Sequence, residues 1–149
     1  MHVLAAAVGR RRVGEIGTGV GVGAAWIVSA LEPAVSFVTV ESNPDRAAAA
    51  ARLFDRDANV RVLTGDWRAL LPEEAPFDLL FVDAADAKDD VEAVLRLLAP
   101  RGAAVLDDFT PEGRGPDARR EAWLSHEELA AVEITSTRRS AAIVAVRRL

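Results

Sequence analysis

The chain has 149 residues, half of them hydrophobic and 28% charged, with no cysteine and a formal net charge of −5. That length suits one domain burying roughly 68–70% of its unfolded surface, and the absence of cysteine excludes disulfides, thiolate metal sites and thiol catalysis. Net acidity argues against a nucleic-acid partner, which asks for a basic face, and no stretch approaches the roughly 18 apolar residues of a membrane span.

The opening Met-His-Val-Leu-Ala-Ala-Ala-Val-Gly-Arg-Arg-Arg reads as the tail of a helix. No basic region precedes its apolar run, so it is not read as a signal peptide, and a cytoplasmic location is expected. A first strand over 13–16 then runs into glycines at 17, 19, 21 and 23, with a helix expected over 21–31. Glycine has no Cβ, so such a loop turns sharply and lets a ligand lie against the backbone. A dinucleotide fingerprint would be G-x-G-x-x-G; Val22 stands where its third glycine belongs, and the pattern here is G-x-G-x-G. Led in by Glu15, that form resembles motif I of the class I S-adenosylmethionine-dependent methyltransferases.

A second strand over 37–41 ends in Glu41, 24 residues after Gly17. A carboxylate at that tip accepts both hydroxyls of a ribose, and it is expected about 20 residues beyond the glycine turn. Ser42 adjoins it, and Asn43-Pro44 reads as the cap and first residue of a helix over 44–54. A third strand over 60–64 leads through Gly65 to Asp66 and Trp67, with a short helix over 66–71. Asp66 suits an exocyclic amine such as adenine's, with Trp67 flanking the ring. The structural alternatives are a helix cap for Asp66 and core packing for Trp67.

A fourth strand over 77–83 is nearly all apolar, as befits burial on both faces, and ends in Asp83. A helix is expected over 88–98, and a fifth strand over 103–107 runs into Asp107-Asp108. Three carboxylates on neighbouring strand tips repel one another unless a cation lies between them. Their oxygen-only donor set suits Mg²⁺, Ca²⁺ or Mn²⁺, and such an ion would orient a hydroxyl substrate; the alternative is loop acids capping helices. The segment 109–116 is turn-rich, a candidate lid. A helix over 117–124 and strands over 131–135 and 142–147, close enough to pair as an antiparallel hairpin, close the chain. His2 and His126 are isolated, Trp26 and Trp123 read as core, and the pairs of arginines read as solvated. The alternation of strands and helices predicts a single α/β domain over 1–149, a parallel sheet with helices on both faces. Each singled-out polar residue sits at a strand's carboxyl end, where open α/β sheets bind ligands.

The run Phe-Asp-Leu-Leu-Phe-Val-Asp-Ala, then Leu-Leu-Ala-Pro-Arg-Gly, then Val-Leu-Asp-Asp is similar to the catechol-type O-methyltransferase family, over about residues 5–108. The resemblance implies a Rossmann-like, seven-stranded methyltransferase sheet, mostly parallel with a C-terminal antiparallel hairpin, and S-adenosylmethionine as cofactor. It implies that Glu15, Gly17, Thr18, Gly19, Gly21 and Gly23 line the methionine side, that Glu41 and Ser42 take the ribose, and that Asp66 and Trp67 take the adenine. Asp83, Asp107 and Asp108 would be the metal ligands, with Asp83 also steering the acceptor hydroxyl. A small-molecule acceptor and a homodimer go with it. The chain departs from the pattern at four points, one of them a shorter stretch than usual between Asp83 and Asp107. Asp86 stands where the family has a lysine, with Lys88 nearby but out of register; Asp108 replaces an asparagine; and the chain begins near the last of the family's N-terminal helices. The expected reaction is therefore methyl transfer to a hydroxyl oxygen. No N-P-P-Y-like segment follows the fourth strand, which argues against methylation of exocyclic amines. Two alternatives stay open: a catalytically impaired S-adenosylmethionine-binding partner subunit, and an NAD(P)-binding oxidoreductase.

Overall fold

A computed structural model describes residues 1–7 and 9–149. The expected N-terminal helix is the single turn α1 (His2–Ala5); Val8 in that stretch lies outside the described residues. Seven strands form one sheet: β1 (Arg12–Ile16), β2 (Ser36–Glu41), β3 (Val60–Thr64), β4 (Phe77–Val82), β5 (Leu98–Phe109), β6 (Leu129–Thr135) and β7 (Ala141–Arg147), in the order β3-β2-β1-β4-β5-β7-β6. The first five are mutually parallel, while β7 runs antiparallel to both β5 and β6, which is the expected terminal hairpin.

The order reverses at β1. The chain steps outward through β2 and β3, then returns to lay β4 on the other side of β1. Loops leaving β1 and β4 therefore diverge and leave a crevice above their carboxyl ends. The central strands are buried on both sides, β4 showing only Asp78 part-exposed, as their apolar runs require. One core lies on the face with Trp67, Leu71, Leu95, Leu97 and Trp123, the other on the face with Ile27, Phe37, Phe54 and Leu79.

Most of the helices are shorter than the periodicity predicts. They are α2 (Val22–Val28), α3 (Pro44–Leu53), α4 (Trp67–Leu70, continued by a 3-10 turn over Leu71–Glu73), α5 (Ala85–Lys88), α6 (Val91–Leu97) and α7 (Ala118–Ser125). The expected helix over 88–98 is in fact two. The Asp90 side chain accepts from the Ala93 amide and starts α6 afresh, while Lys88 ends the preceding turn. Strand β5 begins five residues earlier than expected. Leu98 pairs with Phe77, and the register then shifts so that Ala103 meets Leu79. Arg101 takes a left-handed φ of 63° within that shift. No helix among the described residues is long and apolar enough to cross a membrane.

Candidate functional site

The crevice above β1 and β4 is a cleft of about 650 Å³, within the range of a nucleoside-sized ligand. Gly17, Gly19, Glu41, Ser42, Asp66, Trp67 and Asp83, all singled out from the sequence, line it. Its floor is the glycine turn. Gly17 has φ 95°, and a Cβ there would lie 3.0 Å from the Asp83 carbonyl carbon. The turn is stitched to both neighbours, since the Gly17 and Thr18 amides donate to the Val40 carbonyl at 3.0 and 3.2 Å and the Asp83 amide donates to that of Ile16 at 2.8 Å.

Glu41 is nearly buried and held from both sides. Its Oε2 accepts from the Gly19 amide at 2.7 Å and its Oε1 from the Asn43 amide at 2.9 Å. Asn43 in turn caps α3 by accepting from the Asp45 and Arg46 amides. Two backbone donors fix this carboxylate at the rim of the cleft, and each of its oxygens keeps lone pairs for a diol. On the far wall Asp66 caps α4, one oxygen accepting from the Arg68 amide at 2.9 Å. Trp67 packs into the core with its edge on the cleft. The structural alternatives for these two residues are thus realised together with their position at the site.

Asp86 turns to this wall as well. It accepts from Trp67 Nε1 at 2.9 Å and from Arg68 Nη1 at 2.6 Å, while the Arg68 guanidinium lies 4.3 Å over the indole centroid. Although burial acts upward on its pKa, these donors hold the Asp86 carboxyl below its usual range. No signal in the sequence pairs Asp86 with Trp67; the link needs α4 and α5 side by side.

Glu15, Thr18, Gly21 and Gly23 do not line the cleft; they form the layer beneath it. Glu15 is 1% exposed and accepts from Thr39 Oγ1 at 2.6 Å, and that hydroxyl lies 2.5 Å from Thr18 Oγ1. A Cβ on Gly23 would come within 2.8 Å of Glu15 Oε1, so the glycine makes room for a buried acid. Burial pushes the Glu15 carboxyl up to about 7, the Thr39 hydrogen bond opposes this, and the charges of Asp83 and Glu41 add to it.

At the other end of the cleft Asp83, Asp107 and Asp108 come together, with one oxygen from each within 4.8 Å of the others. Asp108 reaches the group from a left-handed residue (φ 57°) at the break in β5–β7 pairing. Burial raises the Asp83 pKa, the neighbouring charge of Asp107 raises it further, and Lys88 opposes both. Lys88 is the residue that spacing alone missed. Its Nζ lies 3.2 Å from Asp107 Oδ1 and 3.7 Å from Asp83 Oδ1, and its side chain is only 7% exposed. Trp123, fully buried, donates from Nε1 to the Lys88 carbonyl at 2.9 Å and anchors it. The donor set is that of a hard dication, yet an ammonium already stands on two of its three carboxylates. An ion on those oxygens would have to displace it, so a divalent metal does not fit the arrangement as folded.

Beyond Lys88 a second cavity of about 550 Å³ opens, lined by Lys88, Asp108, Thr110, Asp117 and Arg119 among others. The candidate lid forms part of its rim and is pinned: Asp117 accepts from the Thr110 amide at 3.0 Å, and Glu133 from the Glu112 amide at 3.0 Å. Arg119 is committed to the Asp89 carboxylate through two nitrogens. The two histidines stay out of this region. His2 meets Trp26 edge-on, and His126 pairs with Glu92.

Residues 15–109 match the model of a family described as a methyltransferase domain. A provisionally named O-methyltransferase of Mycobacteroides abscessus is 31% identical over 125 residues, 78% of this chain and 58% of that protein. Among solved structures, the O-methyltransferase TomG of Streptomyces achromogenes in complex with SAM superposes with a TM-score of 0.81 at 26% identity, covering 99% of this chain and 78% of that one. Cofactor-bound Rv0187 from MTB gives 0.81 at 29% with the same coverage. The chain spans little more than half the length of the first curated relatives it matches.

Proposed function

The chain belongs to the methyltransferase-domain family, and on that premise we propose that it transfers a methyl group from S-adenosylmethionine to a hydroxyl oxygen of a small-molecule acceptor. The observation that carries this reading is the continuity of the site. Gly17, Glu41 and Asp66 ring one cleft, Asp83 ends it, and Lys88 and Asp108 open the next. The first would hold a nucleoside, Glu41 and Ser42 taking its ribose and Asp66 and Trp67 its adenine, and the second would admit the acceptor. Gly17 and Gly19 let the chain approach the methionine portion closely. Glu15, Thr18, Gly21 and Gly23 shape the turn from below.

The bound cofactor supplies an electrophilic methyl on a sulfonium, so the protein's task is in-line positioning more than elaborate proton transfer. An acceptor oxygen held in line would take the methyl from the sulfonium, with the electron pair of the broken carbon–sulfur bond left on sulfur. Asp83 holds the acceptor hydroxyl. Its raised affinity for protons suits it to take the proton released and pass it to water. The acceptor is a small molecule and not a nucleic acid, in keeping with a chain of net charge −5. We place the protein in the cytoplasm, with residues 1–149 folding as one methyltransferase domain, and as a homodimer. The oxidoreductase alternative is not favoured by the family or by Val22, and a purely binding role is not favoured by relatives named for O-methyl transfer.

The test is calorimetric titration with S-adenosylhomocysteine and with NAD, followed by transfer of labelled methyl to a panel of phenols and catechols. Uptake of the first ligand and not the second is expected. No heat with S-adenosylhomocysteine would end the proposal.

A further inference from the structure

We infer that Lys88 is the resident cation of the acid cluster, its ammonium taking the place a divalent ion would have between Asp83 and Asp107, so that the acceptor site works without a bound metal. Three acids at one point require compensating charge. The chain has a single lysine, and it offsets one of these charges from between Asp83 and Asp107. The Nζ lies 3.2 Å from Asp107 Oδ1 and 3.7 Å from Asp83 Oδ1, so it stands on two of the three carboxylates that could hold an ion. A dication brought to those oxygens would meet both an occupied position and a like charge a few ångströms away, which weakens its binding steeply in a partly desolvated site.

The lysine cannot step aside cheaply. Its backbone amide donates to the Ala84 carbonyl at 3.1 Å, closing the turn of α5 that begins just after Asp83. Its carbonyl accepts from the buried indole of Trp123. The whole residue is 6% exposed, so withdrawal from the carboxylates would cost a largely desolvated ammonium its two ionic partners. The spacing explains how this arises. Asp86, two residues earlier, is held by Trp67 and Arg68 on the cleft wall, so it is Lys88 that returns to the acids at the end of the turn. Asp108 keeps an exposed carboxylate on the side of the second cavity, where the paired charges of Lys88 and the acids face an incoming hydroxyl. The ammonium then does the orienting that a metal would otherwise do, by donating to the acceptor oxygen.

The role toward an acceptor rests on the function proposed above, but its test does not need an acceptor. Mn²⁺ alone is titrated into the metal-stripped protein and followed by the relaxation of water protons, for the wild type and for Lys88→Met. The wild type is expected to take up no Mn²⁺ below millimolar concentration. Lys88→Met should gain affinity roughly tenfold or more, because a like charge has gone and the oxygens are freed. Because the chain has one lysine, ¹³C-lysine labelling gives a second readout on the unaltered protein, whose lone Cε signal should neither shift nor broaden with sub-millimolar Mn²⁺. Sub-millimolar uptake by the wild type, broadening of that signal, or a folded Lys88→Met protein with no gain would each overturn the inference. S-adenosylhomocysteine titrated into the same samples reads the cleft separately, so its failure would strike the proposed function and leave the cation result standing.

Discussion

Replacing Gly17 by alanine separates two costs that usually come together. The residue sits at φ 95°, and the added Cβ would lie 3.0 Å from the Asp83 carbonyl carbon and 3.1 Å from its oxygen. The left-handed backbone alone costs an L-residue roughly 1–2 kcal/mol. The clash is with backbone that is itself tied down, since the Asp83 amide donates to Ile16. Strands β1 and β4 must therefore spread by a few tenths of an ångström, and about 3 kcal/mol in total is expected. For a domain of this size that is a fall in Tm of roughly 6–12 °C. Gly19→Ala is the control. Gly19 is also left-handed, at φ 56°, but a Cβ there meets nothing within 4 Å, so only the backbone cost of about 1 kcal/mol remains. Thermal unfolding followed by circular dichroism compares the two, and calorimetry with S-adenosylhomocysteine should show Gly17→Ala losing more affinity as its floor lifts into the cleft. Equal losses of Tm in the two variants would refute the reasoning, because the close approach of Gly17 to Asp83 would then carry no energy.

Glu15 makes stability depend on pH in a stated direction. Its carboxyl is raised from 4.5 to about 7 in the folded protein, so between those pH values the folded state binds the proton that the unfolded chain releases. Stability attributable to Glu15 is present below about 4.5 and falls as pH rises through 7, by about 3 kcal/mol at most. Urea unfolding of wild type and Glu15→Gln at pH 5 and pH 8 should show the variant gaining relative stability at the higher pH, and parallel profiles would contradict the burial argument. Glu41→Ala removes an acceptor held by two amides and should weaken S-adenosylhomocysteine about 10- to 100-fold by calorimetry, as for loss of a charged hydrogen-bond partner; an unchanged isotherm would move the ribose elsewhere. Trp123→Phe loses both the donor to the Lys88 carbonyl and part of the buried indole volume, a loss of about 2–4 kcal/mol in urea unfolding; an unchanged midpoint would show that neither carries energy.

The parts of the fold that sequence reading reached are those with a local cause. Strands β2 and β3 were visible because apolar runs end at Glu41 and Thr64 beside turn residues, and Asn43-Pro44 marks the start of α3 by a cap that the structure shows accepting from two amides. The cleft-lining residues share one legible property, a polar or glycine residue at the carboxyl end of an apolar strand. What stayed hidden depends on contacts between elements. The helical spacing of 88–98 is real, yet the break at Asp90 is set by a cap and by the inward path of Lys88. The early start of β5 goes through Pro100 and Gly102, which carry no strand signal, and only Phe77 opposite shows that Leu98 is in the sheet. Glu15 looked like a cleft residue by its place in the motif; that its carboxylate turns down to Thr39 follows from the room left by Gly23.

Asp83 shows why these pieces converge. Its amide is the last rung joining β4 to β1, its carbonyl is the surface against which Gly17 is packed, and its carboxylate belongs to both the cleft and the acid cluster. The residue therefore ties the bend under the nucleoside to the point where an acceptor would be activated. A shift of either strand moves both ends of the proposed reaction together, and in-line transfer tolerates misplacement of the reacting atoms poorly. The reversal of strand order places β1 and β4 side by side, so the alignment is supplied by sheet hydrogen bonds instead of by a mobile loop. Lys88 extends the same logic, for it is carried on the one helical turn that leaves β4 and is locked from behind by Trp123. A cation fixed to the strand tip in this way stays aligned with the glycine turn through the same backbone, whereas a free ion would have to be positioned afresh by side chains alone.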